Sequence, residues 1–78
     1  MADNIRFEIK EHYGILLTRE RSGWSKELNL VSWDEKPAKF DIREWDEAHE
    51  RMSRGITLTE IEMKNLFEIL KSIFNSDE

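Results

Sequence analysis

The chain has 78 residues, enough for one domain with a small apolar core. It contains no cysteine, which excludes disulfides and cysteine-based metal sites as sources of stability. The formal net charge of −5 at pH 7 argues against a protein that is basic over its whole surface. All the arginines, however, lie between Arg6 and Arg54, so the acidic balance does not exclude a local basic face.

Hydropathy and cysteine content both bear on location. The longest run of apolar residues, 15–17, is far too short to span a bilayer, so we expect no membrane partner. The first residues show no charged segment followed by a long apolar stretch, and we therefore expect no signal peptide. Since a cysteine-free chain suits a reducing compartment, the sequence predicts a cytoplasmic protein.

Alternation of apolar and polar residues predicts strands along the first two thirds of the chain. The predicted strands are residues 5–10, 13–18, 24–33, 39–45 and 56–58. The first two either form one strand or are separated by a kink near Gly14. Residues 46–55 fit a short helix as well as a polar loop, and the pattern leaves both open.

The C-terminal helix has the clearest signals. Thr59 is a good N-cap, and Glu62 at the third helical position completes a capping box. Apolar residues then recur along one stripe, at Met63, Leu66, Phe67, Leu70, Ile73 and Phe74. Ile61 and Ile69 widen this stripe. The extra width indicates either a second buried face against a partner subunit or a broad face in the chain's own core.

These elements predict one α+β domain over residues 1–78, with a core from about residue 5 to residue 74. We expect about four antiparallel strands followed by one C-terminal helix. A chain this small, without disulfide or metal, often enlarges its core with a second copy, so we expect a homodimer. The candidate dimer-interface residues are Ile61, Leu66, Ile69 and Ile73.

Residue types needed for catalysis are scarce. The chain has no cysteine nucleophile and no Gly-x-Ser-x-Gly elbow, and its three glycines are too far apart for a phosphate loop. The acidic residues and histidine of segment 46–50 lack the spacing of metal ligands and read as a solvated loop. We therefore expect a domain that is not an enzyme and needs no cofactor or metal.

Strand parity divides the predicted sheet into two faces. The side chains predicted to point inward include Leu28, Leu30, Phe40 and Ile42. The side chains predicted to point outward include Trp33, Lys39, Arg43 and Trp45. Tryptophans beside basic residues on one face suit the stacking of unpaired bases. Burial of the same face in a dimer explains the pattern equally well.

Two segments resemble motifs of the transcriptional positive cofactor four family. Residues 39–45, Lys-Phe-Asp-Ile-Arg-Glu-Trp, are similar to the family's Asp-Ile-Arg-Glu-aromatic strand. Residues 54–59, Arg-Gly-Ile-Thr-Leu-Thr, are similar to the basic-Gly-Ile-hydroxyl-Leu segment before its single helix. Residues 26–33 look like the preceding strand of its small bacterial members, and the resemblance covers roughly residues 24–74.

The resemblance implies a curved antiparallel sheet, pairing of two copies through helices and sheet edges, and grooves for antiparallel single strands of DNA. It also implies a preference for single-stranded DNA over duplex, little sequence preference, and a role in transcription. Arg43 matches the strand arginine that meets the DNA backbone, and Arg54 matches a basic position before the glycine. Trp33 lies near the family's base-stacking aromatic, whereas Trp45 fills a tyrosine position.

The sequence therefore predicts a single-stranded-DNA-binding protein that regulates transcription, with RNA and the transcription machinery as further candidate partners. The candidate nucleic-acid-binding residues are Lys26, Trp33, Lys39, Arg43, Trp45, Arg51 and Arg54. The alternative is a protein-interaction adaptor, in which outward tryptophans anchor a protein partner.

Overall fold

The computed structural model describes residues 6–75. The elements, in chain order, are β1 (Phe7–Thr18), β2 (Ser25–Trp33), β3 (Lys39–Trp45), β4 (Ile56–Leu58) and α1 (Glu60–Phe74). Each strand pairs antiparallel with the next, which gives one sheet in the order β1-β2-β3-β4. The expected α+β class and its antiparallel sheet with one C-terminal helix are confirmed. The expected first strand residue, Ile5, lies outside the described part of the chain.

Strand β1 is one strand of twelve residues, not two. Its register against β2 shifts at three points, and one of these lies between His12 and Gly14. The kink expected near Gly14 therefore coincides with a bulge-type irregularity, while pairing continues on both sides. Such irregularities bend a strand and increase its twist.

The sheet curves around one of its faces. Phe7 pairs with Trp33 at one end of β2, whereas Trp45 pairs with Ser25 at the other end. The rings of Phe7 and Trp45 nevertheless lie 5.1 Å apart between centroids. The sheet must therefore bend around the side that carries these rings. We call this side the concave face and the opposite side the convex face.

The assignment of inside and outside from strand parity was wrong. Among residues 6–75, the buried side chains are Ser25, Glu27, Asn29, Val31, Ser32, Asp41 and Trp45. All but Ser32 lie on the concave face, which was expected to point outward. Leu28, Leu30, Phe40 and Ile42, expected inward, are only half-buried. Strand parity separated the side chains of the two faces correctly, but it does not show which face becomes buried when the sheet curves.

Helix α1 begins as expected. The Glu62 backbone N–H donates to Thr59 Oγ1 at 3.2 Å, and the Thr59 N–H donates to the Glu62 carboxylate at 2.8 Å. This capping box satisfies two N–H groups at the start of the helix. None of the helix residues, all of which the structure describes, is buried. Ile61 and Phe67 are 71% and 58% exposed, so the apolar stripe faces outward from the single chain.

Residues 46–55 form an ordered loop and not a short helix. The Asp46 carboxylate accepts hydrogen bonds from the backbone N–H groups of Glu50 and Arg51, at 2.8 and 3.0 Å. Met52 forms an isolated bridge with Trp45, which ties the far side of the loop to the end of β3. Within the described residues, no helix has the length and apolarity needed to cross a membrane.

Candidate nucleic-acid interface

A tight turn fixes the position of Trp33 at the end of β2. The Lys36 backbone N–H donates to the Trp33 carbonyl at 2.9 Å. The two residues between them, Asp34 and Glu35, have φ angles of 55° and 65°. Left-handed conformation at both central residues is the type I′ pattern, whose twist matches that of the flanking strands. Trp33 is thereby held at the end of the sheet.

Arg43 on β3 is held by its neighbour on the same face of the strand. Its Nε donates to Asp41 Oδ1 at 2.7 Å, and its Nη2 donates to Asp41 Oδ2 at 2.8 Å. The side chain of Asp41 is 0% exposed and that of Arg43 is 14% exposed. A buried carboxylate needs such a partner. The bidentate arrangement, with two parallel N–H···O hydrogen bonds, is the strongest form of this ion pair.

The guanidinium of Arg43 also stacks on Trp33. Its central carbon lies 4.5 Å from the centroid of the Trp33 ring, within the range of a cation–π contact. Arg43 Nη1 donates to the Ser53 carbonyl at 3.4 Å. Gly55 packs directly behind, because a Cβ at this position would collide with Arg43 Cβ and the Ile42 carbonyl oxygen. Arg43 and Trp33 therefore form one fixed unit.

An open cleft of about 490 Å³ runs beside this unit. Its lining residues are Trp33, Arg43, Met52, Ser53, Arg54 and Thr57. The structure thus brings together three of the residues expected to bind nucleic acid, namely Trp33, Arg43 and Arg54. Lys39 is exposed and shares the strand face of Arg43, and Arg51 is exposed on the adjoining loop.

Two of the expected residues do not join this group. Lys26 alternates with the buried Glu27 and so points to the convex face, where it borders a second cleft whose lining also includes Arg43 and Arg54. Trp45 is 0% exposed, so the expectation that it faces outward is wrong. Its ring is covered by those of Phe7 and His49, at centroid distances of 5.1 and 5.7 Å.

Sequence reasoning missed a polar cluster in the middle of the concave face. Glu27 is 2% exposed, and its carboxylate accepts from Ser25 Oγ at 2.7 Å and from Asn29 Nδ2 at 3.1 Å. His49 Nε2, from the loop, lies 3.0 Å from both carboxylate oxygens. The signal was the polar residues at the alternate positions 25, 27 and 29 of β2, on the strand face that was expected to point outward.

The surroundings of Glu27 act on its pKa in opposite directions. Burial is the largest influence and raises the pKa, because it disfavours the charged form. Hydrogen bonds from Ser25, Asn29 and His49, together with the electrostatic attraction of His49, outweigh burial and leave the pKa of Glu27 below its ordinary value. The carboxylate is therefore held ionised, as an acceptor for three donors.

His12 extends the same cluster to β1. Its Nδ1 lies 2.7 Å from Asn29 Oδ1, and an amide oxygen only accepts, so the ring proton must be on Nδ1. Asn29 thereby receives one hydrogen bond and donates another to Glu27. In the described region, no three histidine or acidic side chains are arranged to hold a metal ion. The arrangement serves hydrogen bonding between strands and loop.

Comparison with known families agrees with this geometry. The family model of the transcriptional coactivator p15 (PC4) matches residues 20–69, which span β2, β3, the loop, β4 and most of α1. The chain belongs to the PC4 family. PC4 domains bind single-stranded DNA, and the matched segment contains the whole Trp33–Arg43–Arg54 cleft. The resemblance found in the sequence is confirmed.

A bacterial relative shows that the likeness extends beyond the segment matched by the PC4 model. An uncharacterized protein of Treponema pallidum (strain Nichols) is 38% identical to this chain over 71 residues. The aligned part covers 91% of this chain and 82% of that protein. The two proteins are therefore similar over most of their lengths.

Proposed function

We propose that the chain binds single-stranded DNA on its concave face, with little sequence preference, and acts as a coactivator-like regulator of transcription. The observation that carries the proposal is the meeting of Trp33, Arg43 and Arg54 along one cleft in a member of the PC4 family. Partners in the transcription machinery, binding of RNA, and the cytoplasmic location stay predictions.

The chemistry of the cleft suits an unpaired strand. A half-buried indole such as Trp33 offers an aromatic surface to a base, and each stacked base contributes about 1–3 kcal/mol. Exposed cations at Lys39, Arg51 and Arg54 can neutralise the phosphates between bases. Duplex DNA binds more weakly under this proposal, because its bases are already stacked and paired. Trp45 has no part in stacking, since it is buried.

The convex face supports a homodimer as the binding unit. Large apolar side chains are exposed there and on the helix, at Ile56, Ile61, Phe67, Ile69, Leu70, Ile73 and Phe74. Burying one such side chain contributes about 1.5–3 kcal/mol. Two copies that cover each other's convex faces, with Ile61, Leu66, Ile69 and Ile73 in contact, leave both concave faces open to DNA.

A direct titration tests the proposal. Labelled oligo-dT and a duplex of equal length are titrated with the full chain at one salt concentration, and binding is followed by fluorescence anisotropy. We expect tighter binding of oligo-dT, and weaker binding after Arg54→Ala. Arg21→Ala is the matched control, because Arg21 is an exposed cation at a different cleft. Equal affinity for both DNAs, or equal effects of both substitutions, contradicts the proposal.

The adaptor alternative loses part of its basis in the structure. It requires two outward tryptophans as anchors, and Trp45 is fully buried. An oligo-uridine arm in the same titration shows whether RNA shares the site.

A further inference from the structure

The charge of Arg43 is already balanced within the chain. Both oxygens of Asp41 are bound to Arg43, and this carboxylate is 0% exposed. A DNA phosphate could take over the guanidinium only by leaving Asp41 buried without its cation, which is strongly unfavourable. While Arg43 stays paired with Asp41, a contact with DNA would also release few of the counterions condensed on the phosphates, because the pair carries no net charge.

The side chain of Arg43 is also enclosed on several sides. Trp33 lies under the guanidinium plane, the Ser53 carbonyl lies 3.4 Å from Nη1, and a Cβ on Gly55 would come within 3.0 Å of Nε. Only 14% of the Arg43 side chain is exposed. Arg43 is therefore fixed against the indole and cannot swing outward to follow a phosphate.

Arg54 differs from Arg43 in each of these respects. It is exposed and lines the same cleft as Trp33. Its backbone carbonyl accepts a hydrogen bond from Ser53 Oγ at 2.8 Å, which fixes where the side chain leaves the main chain. The cleft thus combines one enclosed arginine, which supports the tryptophan, with one exposed arginine at its rim.

We propose that Arg43 is a positioning residue, held by Asp41, that keeps the Trp33 indole in place for stacking, and that the phosphate contact of this cleft belongs to Arg54. The proposal rests on the proposed single-stranded-DNA binding and assigns different roles to its two arginines. It departs from the role that the family resemblance implies for Arg43, which is direct contact with the DNA backbone.

Salt dependence separates the two roles. Affinity of the full chain for oligo-dT is measured at several NaCl concentrations, and the slope of log affinity against log salt is compared between variants. Arg54→Ala should flatten the slope by about 0.7, the loss of one phosphate contact on a single strand. The double variant Asp41→Asn/Arg43→Gln should weaken binding about 5- to 150-fold at every salt concentration and leave the slope unchanged.

The double variant removes the ion pair without leaving either charge buried and unpaired. Circular dichroism is used to check that the double variant is folded. Asp41→Asn alone should steepen the slope, since it leaves the Arg43 charge unbalanced. In a Trp33→Ala background the double variant should cause little further loss, because both changes remove the same stacked base.

Two results would overturn the assignment of roles. One is a slope that flattens by about 0.7 in the double variant, which would make Arg43 a phosphate contact. The other is full additivity of the double variant with Trp33→Ala. If the parent chain binds oligo-dT no better than duplex, the proposed function fails and this assignment fails with it. If the parent prefers oligo-dT and the slope result is contrary, only the role of Arg43 is lost.

Discussion

The two faces of the sheet differ in which side chains they bury and which they leave exposed. The concave face is closed by curvature and by the loop after β3, and most of what it buries is polar: Ser25, Glu27, Asn29 and Asp41. The convex face is apolar, yet the helix leaves much of it open. In this chain, paired polar side chains are buried on the concave face, and large apolar side chains stay exposed outside it.

The difference has an energetic basis. A buried polar group costs free energy unless it is hydrogen-bonded, and on the concave face Glu27 and Asp41 are each satisfied by side chains of their own sheet or loop. An exposed apolar patch of several large side chains is instead typical of an interaction surface. A substitution that disturbs the side-chain interactions of one face should therefore leave those of the other face largely unchanged.

The largest effect is expected on the convex face. Ile69→Glu should cost about 3–5 kcal/mol of association free energy, because the dimer would bury a charge without a partner. This is more than about 100-fold in the dissociation constant. Sedimentation at micromolar concentration should give about twice the chain mass for the parent and the single mass for the variant. Asn65→Asp, on an exposed site of the same helix, is the control. A monomeric parent would rule out the proposed dimer.

On the concave face, Glu27→Gln should lower the free energy of unfolding by about 1–3 kcal/mol, because one of three donors loses its acceptor. Urea unfolding at neutral pH measures this loss. Glu47→Gln, an exposed carboxylate on the loop, should have little effect. Equal losses for both substitutions would show that the hydrogen bonds to buried Glu27 contribute no more stability than an exposed carboxylate does.

The same carboxylate gives the stability a defined dependence on pH. The folded-state pKa of Glu27 is below its ordinary value, so ionised Glu27 stabilises the fold above the unfolded pKa of about 4.3. This stability should be lost as the pH falls through the lowered pKa. Unfolding measured from pH 6 downward, in steps of about one unit, should show a shallower decline for Glu27→Gln than for the parent. Parallel curves would contradict the assignment.

An effect of similar size tests the close packing behind Arg43. Gly55→Ala should cost about 1–3 kcal/mol of stability, because its Cβ would collide with the Ile42 carbonyl and Arg43 Cβ. The matched control is Gly14→Ala, where nothing lies within 4 Å of the added Cβ. Thermal unfolding of the two variants measures the difference. If Gly55→Ala is as mild as Gly14→Ala, the enclosure of Arg43 is looser than described.

The smallest effect is expected at the helix start. Thr59→Ala removes the acceptor for the Glu62 N–H and should cost about 1 kcal/mol. Denaturant unfolding detects this change, and Thr18→Ala on an exposed strand end is the comparison. Affinity for oligo-dT should be unchanged in the folded variant, since the cap lies outside the cleft. A loss of affinity without loss of stability would place the cap in the binding face.

Local features of the fold were predictable from the sequence, and long-range ones were not. The capping box of Thr59 depends on residues three positions apart, and the strand segments depend on simple alternation. Which face closes depends instead on the bulges of β1 and on a loop residue, His49, with a φ of 58°. Gly14 indicated one of these irregularities but not its effect on the curvature, so Trp45 was expected outward and is buried.

The candidate site was predictable in composition but not in arrangement. The family motifs identified Trp33, Arg43 and Arg54, which share one cleft. They did not reveal that Arg43 is enclosed, although the opposite charge of Asp41 two positions earlier on the same strand face was visible. Lys26 lies on the strand face opposite to Trp33, as its shared parity with Leu28 already indicated.

The irregular register of β1 also affects how far self-association can go. β1 and β4 are the two edges of the sheet, and a long regular edge can recruit further chains by adding strands without limit. Here one edge is interrupted by three register shifts and the other is only three residues long. Both are poor templates for fibre growth. The proposed pairing through one face would therefore stop at a closed dimer, because neither edge of the sheet favours the addition of further chains.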